Sequence, residues 1–266
     1  MIQIRLPRLA RFVLGLFFGL ALIAPLPFVV ITPGSAQDVL SNVITPSKKP
    51  SVTPTFYQGD GKIYLLSIRI TNPSAYVTGF ELIYSWMRSD YSVMPRSLFY
   101  KDGRSAKAEE KIAKTEMVDS QISAKIAALD YLEKNYPQLG ADKFAPSDID
   151  ISLSKTGGPS GGLAFALGIV ELLTPEDILR GRIVATTGTI DEKGGVGSIG
   201  GIAEKILAAK KAGARIIIVP ERNCRDLAPS LANIPDGIEI VAVSTLAEAI
   251  SALNSKRPRD CANLGA

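Results

Sequence analysis

Residues 148–173 read DIDISLSKTGGPSGGLAFALGIVELL. Apolar and polar residues alternate over 148–154, which predicts a strand, and the apolar run Leu163–Leu173 predicts a buried helix. The glycine-rich turn Gly157–Gly162 separates the two. Ser160 is therefore expected at the N-terminal end of a helix, where backbone N–H groups lack partners and the helix dipole is positive.

Beyond this turn the sequence alternates between strand and helix patterns. Predicted strands are Arg182–Thr187, Ile216–Val219 and Ile238–Val243, and predicted helices are Ile202–Ala212, 223–231 and Leu246–Leu253. Residues 188–198 predict a glycine-rich hairpin or loop. This alternation indicates an α/β (α+β) fold, with one domain over 59–253 and a polar tail over 254–266.

Upstream of the turn, residues 62–70 predict a strand and residues 105–134 predict the longest helix. Its apolar face is expected to contain Val118, Ile122, Ile126 and Leu129, which recur at helical spacing.

An uncharged stretch near the N-terminus predicts a membrane anchor. Residues 12–31 (FVLGLFFGLALIAPLPFVVI) contain no charged side chain, which matches the length of a helix that crosses a bilayer. Three basic residues precede the stretch, Arg5, Arg8 and Arg11. No Lys or Arg follows until Lys48. By the positive-inside rule, residues 1–11 are cytoplasmic and 12–32 form a single-pass transmembrane helix in the cell membrane. The remainder of the chain is then extracytoplasmic.

Residues 33–58 are rich in Pro, Ser and Thr and predict an extended stalk or an irregular first strand. A cleavable signal peptide is the rival interpretation of the N-terminus, because Gly34 and Ala36 fit the small-residue pattern for cleavage after Ala36. Both interpretations export the rest of the chain. A buried helix of a soluble domain is a third interpretation, but it does not explain why the basic residues lie on one side only.

The absence of histidine excludes the commonest hydrolytic and metal sites. The 266 residues include no His and only two cysteines, Cys224 and Cys261. Ser–His–Asp catalysis and His-based metal sites are therefore excluded, and two thiols alone do not complete a structural zinc site. No metal or other cofactor is expected. In an exported chain the cysteines are candidates for a disulfide; otherwise they are two free thiols.

The net charge of +4 is mild, and several basic residues lie at the two ends of the chain. A nucleic-acid partner is not expected, because such a protein would need a clustered basic face.

Ser160 is a candidate nucleophile. Backbone N–H groups of the turn Gly157–Ser160 would hold a developing oxyanion, and the glycines would let a substrate backbone approach closely. The alternative is a serine that only caps a helix, which stabilises the fold by about 1 kcal/mol.

Three other motifs overlap this segment and are rejected. G-x-S-x-G around Ser160 is the nucleophile elbow of α/β-hydrolases, which requires a histidine. Ser152-x-x-Lys155 and Lys155-Thr156-Gly157 mimic motifs of penicillin-binding enzymes, but one lysine would have to serve both and Ser152 lies in a predicted strand. No G-x-x-x-x-G-K-[ST] phosphate loop occurs in the sequence, so no nucleotide is expected.

Lys205 is the best candidate for the base. Lysine serves as a base near neutral pH when burial lowers its pKa. Lys205 follows the pair Gly200-Gly201 on a predicted helix, among apolar residues. The alternative is a solvated surface lysine like Lys210 and Lys211, and the helical phase does not separate these three residues.

Three linked segments resemble the proteolytic domain of Lon proteases. They are Gly158-Pro159-Ser160-Gly161-Gly162, Thr187-Gly188-Thr189-Ile190 and Gly195–Lys205, which continues as ILAAKKAGARIIIVPERN. The resemblance implies a single catalytic domain of Lon-proteolytic type with Ser160 as nucleophile and Lys205 as base. It also implies that Thr187 orients this dyad and that Gly157, Gly158, Pro159 and Gly161 support the oxyanion turn. At Gly161 the family usually has alanine.

The rest of the chain resembles the exported, membrane-anchored branch of that family. Such relatives often carry a PDZ domain before the serine, but the segment between Leu132 and Asp148 is too short for one. The implied function is an ATP-independent serine endopeptidase that cleaves exported or membrane-associated proteins or peptides. A homo-oligomer is expected, because Lon-type domains commonly form rings.

The competing interpretation is a catalytically inert, membrane-tethered binding or scaffold protein that retains the fold. Retention of Ser160, Thr187 and Lys205 together argues against it. A glycine-loop ligand-binding protein would leave the segment around Lys205 unexplained.

Overall fold

A computed structural model of the protein describes residues 7–101, 103–153, 156–227, 237–254 and 261. The chain divides into two compact units: the first comprises Met1–Thr32 and Arg69–Glu109, and the second Pro33–Ile68 and Glu110–Ala266. All of the predicted site residues belong to the second unit. The domain predicted over 59–253 thus includes a segment, Arg69–Glu109, that belongs to the first unit.

The elements follow in chain order. The first are α1 (Arg8–Ile23), β1 (Pro25–Leu26), β2 (Phe28–Asp38), β3 (Ile44–Pro46), β4 (Lys62–Ile70), β5 (Val77–Thr78), α2 (Gly79–Trp86) and β6 (Ser92–Pro95). Next come α3 (Ala106–Asn135), β7 (Ile149–Ile151), α4 (Gly162–Leu173), β8 (Ile183–Thr186), β9 (Thr189–Ile190) and β10 (Val196–Gly197). The last are α5 (Ile202–Lys211), β11 (Ile216–Pro220), α6 (Cys224–Leu227), β12 (Glu239–Val243) and α7 (Leu246–Asn254). The mixed α/β architecture is therefore confirmed.

Helix α1 is shorter than the predicted transmembrane helix. The prediction of one helix over 12–32 is wrong beyond Ile23, where the strands β1 and β2 follow. Pro25 and Pro27 explain the difference, because proline lacks an N–H and disfavours a helical conformation in the residue before it. Ala24 is accordingly extended, with a ψ of 134°. Within the described residues, no helix is both long and apolar enough to span a bilayer.

The second unit is built around a largely parallel sheet. Its strands lie in the order β12-β11-β8-β4-β2. β11 runs parallel to both β12 and β8, and β8 runs parallel to β4. Parallel neighbours need a crossover between them, and α5 lies between β8 and β11 in the chain while α6 lies between β11 and β12.

Helices cover both faces of this sheet. One face packs against α4 and α7 through residues such as Val184, Ile218 and Val241. The other packs against α5 and α6 through Ala185, Ile217 and Ile240. Every residue of α4 is buried, which explains why the run GLAFALGIVELL is apolar on all sides. Ser160 lies just before this central helix, separated from its first residue by Gly161.

Residues 33–58 do not form the predicted stalk throughout. Val39, Val43 and Ile44 are buried in the core of the second unit, and β3 pairs antiparallel with β7. The close approach of this segment to α4 depends on Gly168, where a Cβ would lie 2.6 Å from Ile44 Cδ1. Because the segment is rich in Pro, Ser and Thr, nothing in the sequence indicated that these three apolar residues are buried.

The buried face of α3 also differs from the prediction. Val118 and Ile122 are exposed, whereas Leu129 is buried. The other buried residues of α3 include Met117, Ser120, Ala124 and Ala128. Small residues on this face let α3 pack closely, and their low hydrophobicity hid the face from a search for large apolar side chains.

Candidate active site

The turn that carries Ser160 is attached to α3. Ser120 Oγ donates a hydrogen bond of 2.9 Å to the carbonyl oxygen of Pro159. Gly158 N–H donates one of 2.8 Å to the carbonyl oxygen of Ala113. Two consecutive residues before Ser160 are thus held by the same helix. Ser120 was not singled out in the sequence, because a serine within a long helix pattern carries no motif.

Two glycines of this turn have a specific structural requirement. Gly158 has a φ of +86°, in the left-handed region that favours glycine. At Gly161 a Cβ would lie 2.7 Å from Leu65 Cδ1, so the side chain of Leu65 fills the space that an alanine methyl group would need. Glycine at position 161 therefore leaves room for the side chain of Leu65 on β4.

The backbone of Ser160 is tied to the segment that follows β8. Its carbonyl oxygen accepts a hydrogen bond of 2.9 Å from Gly188 N–H and one of 3.3 Å from Thr187 Oγ1. Leu163 N–H donates in turn to the carbonyl oxygen of Gly188 at 3.1 Å. The Thr-Gly segment therefore fixes the start of α4 and the conformation of Ser160.

Two residues of the predicted oxyanion turn, Gly158 and Pro159, have no free N–H. Pro159 has no N–H, and Gly158 N–H already donates to Ala113. In the described part of the chain, the N–H groups of Ser160 and Gly161 make no hydrogen bond. These two adjacent donors at the start of α4 are free to bind an oxyanion.

Lys205 is buried, whereas Lys210 and Lys211 on the same helix are exposed. Its side chain is only 2% exposed, and its Nζ donates a hydrogen bond of 3.0 Å to Thr187 Oγ1. Burial lowers the pKa of Lys205 from 10.5 to about 7, although the neighbouring Glu204 carboxylate opposes the shift. A substantial fraction of Lys205 is therefore neutral at neutral pH, as a general base requires.

Thr187 links the lysine to the serine segment. Because the Thr187 hydroxyl donates to the carbonyl oxygen of Ser160, its oxygen accepts the hydrogen bond from Lys205. A neutral amine that donates one N–H still has its lone pair available. No hydrogen bond joins Ser160 Oγ to Lys205 Nζ among the described residues. Such contacts are often formed only when substrate binds.

A groove of 890 Å³ leads to the serine turn. One wall is formed by α3 and includes the buried Met117 and the exposed Val118; the other includes Ile151 and Leu153. The charged residues Glu110 and Lys114 also line it. Gly157, the first residue of the turn, lines the groove too, so a chain lying along it would reach the serine turn. Lys155, part of the rejected motif, lies outside the described residues.

Asn223 holds the loop that precedes the lysine helix. Its Oδ1 accepts a hydrogen bond of 2.9 Å from Ile199 N–H, and its Nδ2 donates one of 2.8 Å to the carbonyl oxygen of Ile199. Asn223 is itself buried. In the sequence this residue is only the first position of the short helix predicted over 223–231, so its contribution was missed.

Cys224 follows Asn223 and forms a disulfide with Cys261. Their Cα atoms are 5.1 Å apart, and both residues are buried. The bond fixes one residue of the predicted C-terminal tail to the start of α6. The other tail residues beyond Asn254 lie outside the described residues.

Comparison with known proteins identifies relatives of this site. Residues 102–255, more than half of the chain, match the family model of the Lon protease (S16) C-terminal proteolytic domain. The chain is 42% identical over 94 residues to Lon protease of Rhizobium meliloti (strain 1021). The aligned region covers 35% of this chain and 11% of that protein. It is 36% identical over 130 residues to Lon protease 2 of Herpetosiphon aurantiacus, which covers 47% of this chain and 16% of that protein.

A third relative is Lon protease of Rickettsia typhi, 35% identical over 127 residues, which covers 46% of this chain and 16% of that protein. The chain therefore aligns with only a small part of the length of these curated relatives.

Proposed function

Because the chain belongs to the family of the Lon protease (S16) C-terminal proteolytic domain, we propose that it is a serine endopeptidase with a Ser160–Lys205 dyad. The observation that carries this proposal is the position of Lys205. A buried lysine whose pKa falls to about 7 is hydrogen-bonded to Thr187, and Thr187 is hydrogen-bonded to Ser160. A structural lysine would gain nothing from this arrangement, since burial of its charge costs free energy.

The mechanism proceeds by acyl transfer. Neutral Lys205 takes the proton of Ser160 Oγ as this oxygen attacks the carbonyl carbon of the scissile peptide bond. The N–H groups of Ser160 and Gly161 hold the oxyanion. Protonated Lys205 then gives its proton to the leaving amine, which departs and leaves an acyl-enzyme. A water molecule, deprotonated by Lys205, hydrolyses the ester and restores Ser160.

The substrates are extended segments of unfolded proteins or peptides. Such a segment lies in the groove between α3 and the chain around Leu153, with an apolar side chain against Val118 and Met117. The reaction as written uses no nucleotide, metal or other cofactor. We propose that the peptidase is ATP-independent, which is consistent with the absence of a phosphate loop from these 266 residues.

We also propose that the N-terminal segment attaches the protein to the cell membrane and that the peptidase acts outside the cytoplasm. No residue of α1 is buried, and its large side chains from Phe12 onward are apolar. Arg8 and Arg11 lie at the N-terminal end of the helix, and no acidic residue occurs before Asp38. The disulfide between Cys224 and Cys261 is the kind of bond that persists in an oxidising compartment. Assembly into a homo-oligomer remains a prediction.

The test uses the full chain in detergent with unfolded casein and a peptide library, and mass spectrometry identifies the products. Ser160→Ala and Lys205→Met are compared with the parent chain; methionine keeps the length and apolar stem of lysine but cannot take a proton. The proposal predicts cleavage by the parent chain alone. Equal cleavage by all three proteins would overturn the dyad. No cleavage by any of them, with vesicles supplied as well, would support the inert scaffold.

A further inference from the structure

Helix α1 exposes apolar side chains around most of its circumference. Phe12, Val13 and Leu14 are all exposed, and so are Leu16, Phe17 and Phe18 one turn later. Three consecutive helical residues span about 200° of the helix surface. A protein partner in a groove would cover one face of such a helix, whereas lipid surrounds it. A helix that is apolar all round is typical of a membrane environment.

Helix α2 has a second exposed apolar stripe. Its buried residues are Gly79, Leu82 and Ser85. On the outer side, Phe80, Ile83, Tyr84 and Met87 follow the i, i+3, i+4, i+7 spacing of one helical face. Phe80 is 65% exposed and Met87 is 81% exposed. The helix therefore buries a serine and exposes its largest apolar side chains, which reverses the usual pattern of a surface helix.

The two helices are fixed together within the first unit. β1, which follows α1, pairs antiparallel with β5, which precedes α2: Pro25 is opposite Thr78 and Leu26 opposite Val77. The start of α2 also packs on the end of α1, because a Cβ on Gly79 would collide with the carbonyl oxygen of Ala21. If α1 enters a lipid bilayer, α2 therefore lies at the surface of that bilayer.

Aromatic and basic side chains border the stripe of α2. Trp86 ends the helix and is 69% exposed. Just beyond it, the Arg88 guanidinium lies 5.1 Å from the centre of the Tyr91 ring and is paired with the Asp90 carboxylate. Arg96 lies 5.4 Å from the ring of Tyr76. Exposed Trp and Tyr side chains are typical of the boundary between acyl chains and headgroups.

We propose that α2 is a second membrane-binding element, and that its stripe Phe80, Ile83, Tyr84 and Met87 enters the same anionic lipid surface as α1. The inference rests on the proposed attachment of α1 to the membrane, and it does not depend on the peptidase activity. Lipid is favoured over a second copy of the chain because α1 is apolar all round from Phe12 onward and because Arg8 and Arg11, at its N-terminal end, complement anionic headgroups.

Trp86 offers a direct test, because it is the only tryptophan in the chain. The full chain is reconstituted with vesicles of phosphatidylcholine and phosphatidylglycerol at 3:1, and binding is measured by flotation. The proposal predicts a blue shift of Trp86 emission and strong quenching by brominated acyl chains. In the double variant Phe80→Ser/Met87→Ser, the chain should still float through α1, but quenching of Trp86 should be largely lost. Val52→Ser, at an exposed apolar position of the second unit, should behave like the parent chain.

Three outcomes would overturn the inference. In the first, the chain floats but Trp86 is quenched by aqueous acrylamide and not by brominated lipid. In the second, Trp86 is shielded in a concentration-dependent way without lipid quenching, which would assign the stripe to self-association. In the third, the chain does not bind vesicles, which would also remove the attachment by α1. Cleavage of soluble peptides is assayed in parallel, so none of these outcomes is confused with failure of the peptidase.

Discussion

Lys205 Nζ donates a hydrogen bond of 3.0 Å to Thr187 Oγ1, and the same hydroxyl donates at 3.3 Å to the carbonyl oxygen of Ser160. Through these two hydrogen bonds, Thr187 connects the side chain of the proposed base to the backbone of the proposed nucleophile. It acts as a positioning residue, since the lone pair of Lys205 and the hydroxyl of Ser160 stay available for the reaction.

Replacing Thr187 with valine should reduce turnover while leaving the fold intact. Valine preserves the shape of threonine but removes both hydrogen bonds, so Lys205 is no longer held beside Ser160. A small displacement of a catalytic group costs about 100-fold in rate. We expect Thr187→Val to lower kcat by this order with little change in KM. Thr187→Ser, which retains the hydroxyl, should recover most of the rate.

Thr186→Val, the same substitution one residue earlier, is the matched control. Thr186 is buried, and its Oγ1 has no hydrogen-bond partner among the described residues. Thr186→Val removes this unpaired hydroxyl, and an unsatisfied buried polar group costs about 1–3 kcal/mol. The variant should be more stable in urea and should retain its activity. Equal loss of activity in both valine variants would mean that Thr187 acts only through packing of the strand end.

The pH dependence of activity should reflect Lys205. Burial lowers the pKa of this lysine to about 7, and only the neutral amine can take the proton of Ser160. The value of kcat/KM should therefore rise with pH, with a midpoint near pH 7, and level off above it. A profile with a midpoint near 10, the ordinary range of lysine, would show that the base is a solvated residue.

Stability should depend on pH in the same direction. In the unfolded chain Lys205 has its ordinary pKa of 10.5, whereas in the folded protein the pKa is about 7. Between these values the unfolded state binds the extra proton, so the free energy of unfolding rises with pH. Lys205→Met should stabilise the fold most below pH 7, and its advantage should vanish as the pH approaches 10.5. Urea unfolding of both proteins at pH 6 and pH 10 measures the difference.

Two positions on α3 test the substrate groove. Val118 lines the groove and is 52% exposed, whereas Ile122 lies one turn further along α3, is 45% exposed and does not line it. Val118→Arg should raise KM for peptides with apolar residues before the scissile bond by about tenfold, with kcat unchanged. Ile122→Arg should have no such effect. Equal effects of the two variants would place the substrate elsewhere on the molecule.

The fold beyond residue 148 was predictable because each element there has a strong local signal. The glycine turn before Ser160 and the all-apolar run of α4 define a strand–turn–helix unit. The pair Gly200-Gly201 marks the start of the helix that carries Lys205. The structure also separates Lys205 from Lys210 and Lys211, which the helical phase alone did not.

Other features had no local signal. The contacts of Ser120 with Pro159 and of Asn223 with Ile199 join distant segments, so they depend on tertiary packing. The buried face of α3 was misassigned because many of its residues, such as Ser120, Ala124 and Ala128, are small. At the N-terminus, hydropathy predicted one long helix, but Pro25 and Pro27 end it and the following β-branched residues pair as a strand.

The rate at which a fluorophosphonate probe phosphonylates Ser160, with loss of fluoride, is the decisive measurement for the Ser160–Lys205 dyad. The full chain, Ser160→Ala and Lys205→Met are incubated with the probe between pH 5 and pH 9, and the adduct is located by mass spectrometry. We expect the probe to label Ser160 in the parent chain, with a rate that rises through about pH 7. Ser160→Ala should not be labelled. Lys205→Met should be labelled far more slowly at every pH. Labelling of a different serine, or equal labelling of Ser160 in Lys205→Met, would contradict the Ser160–Lys205 dyad.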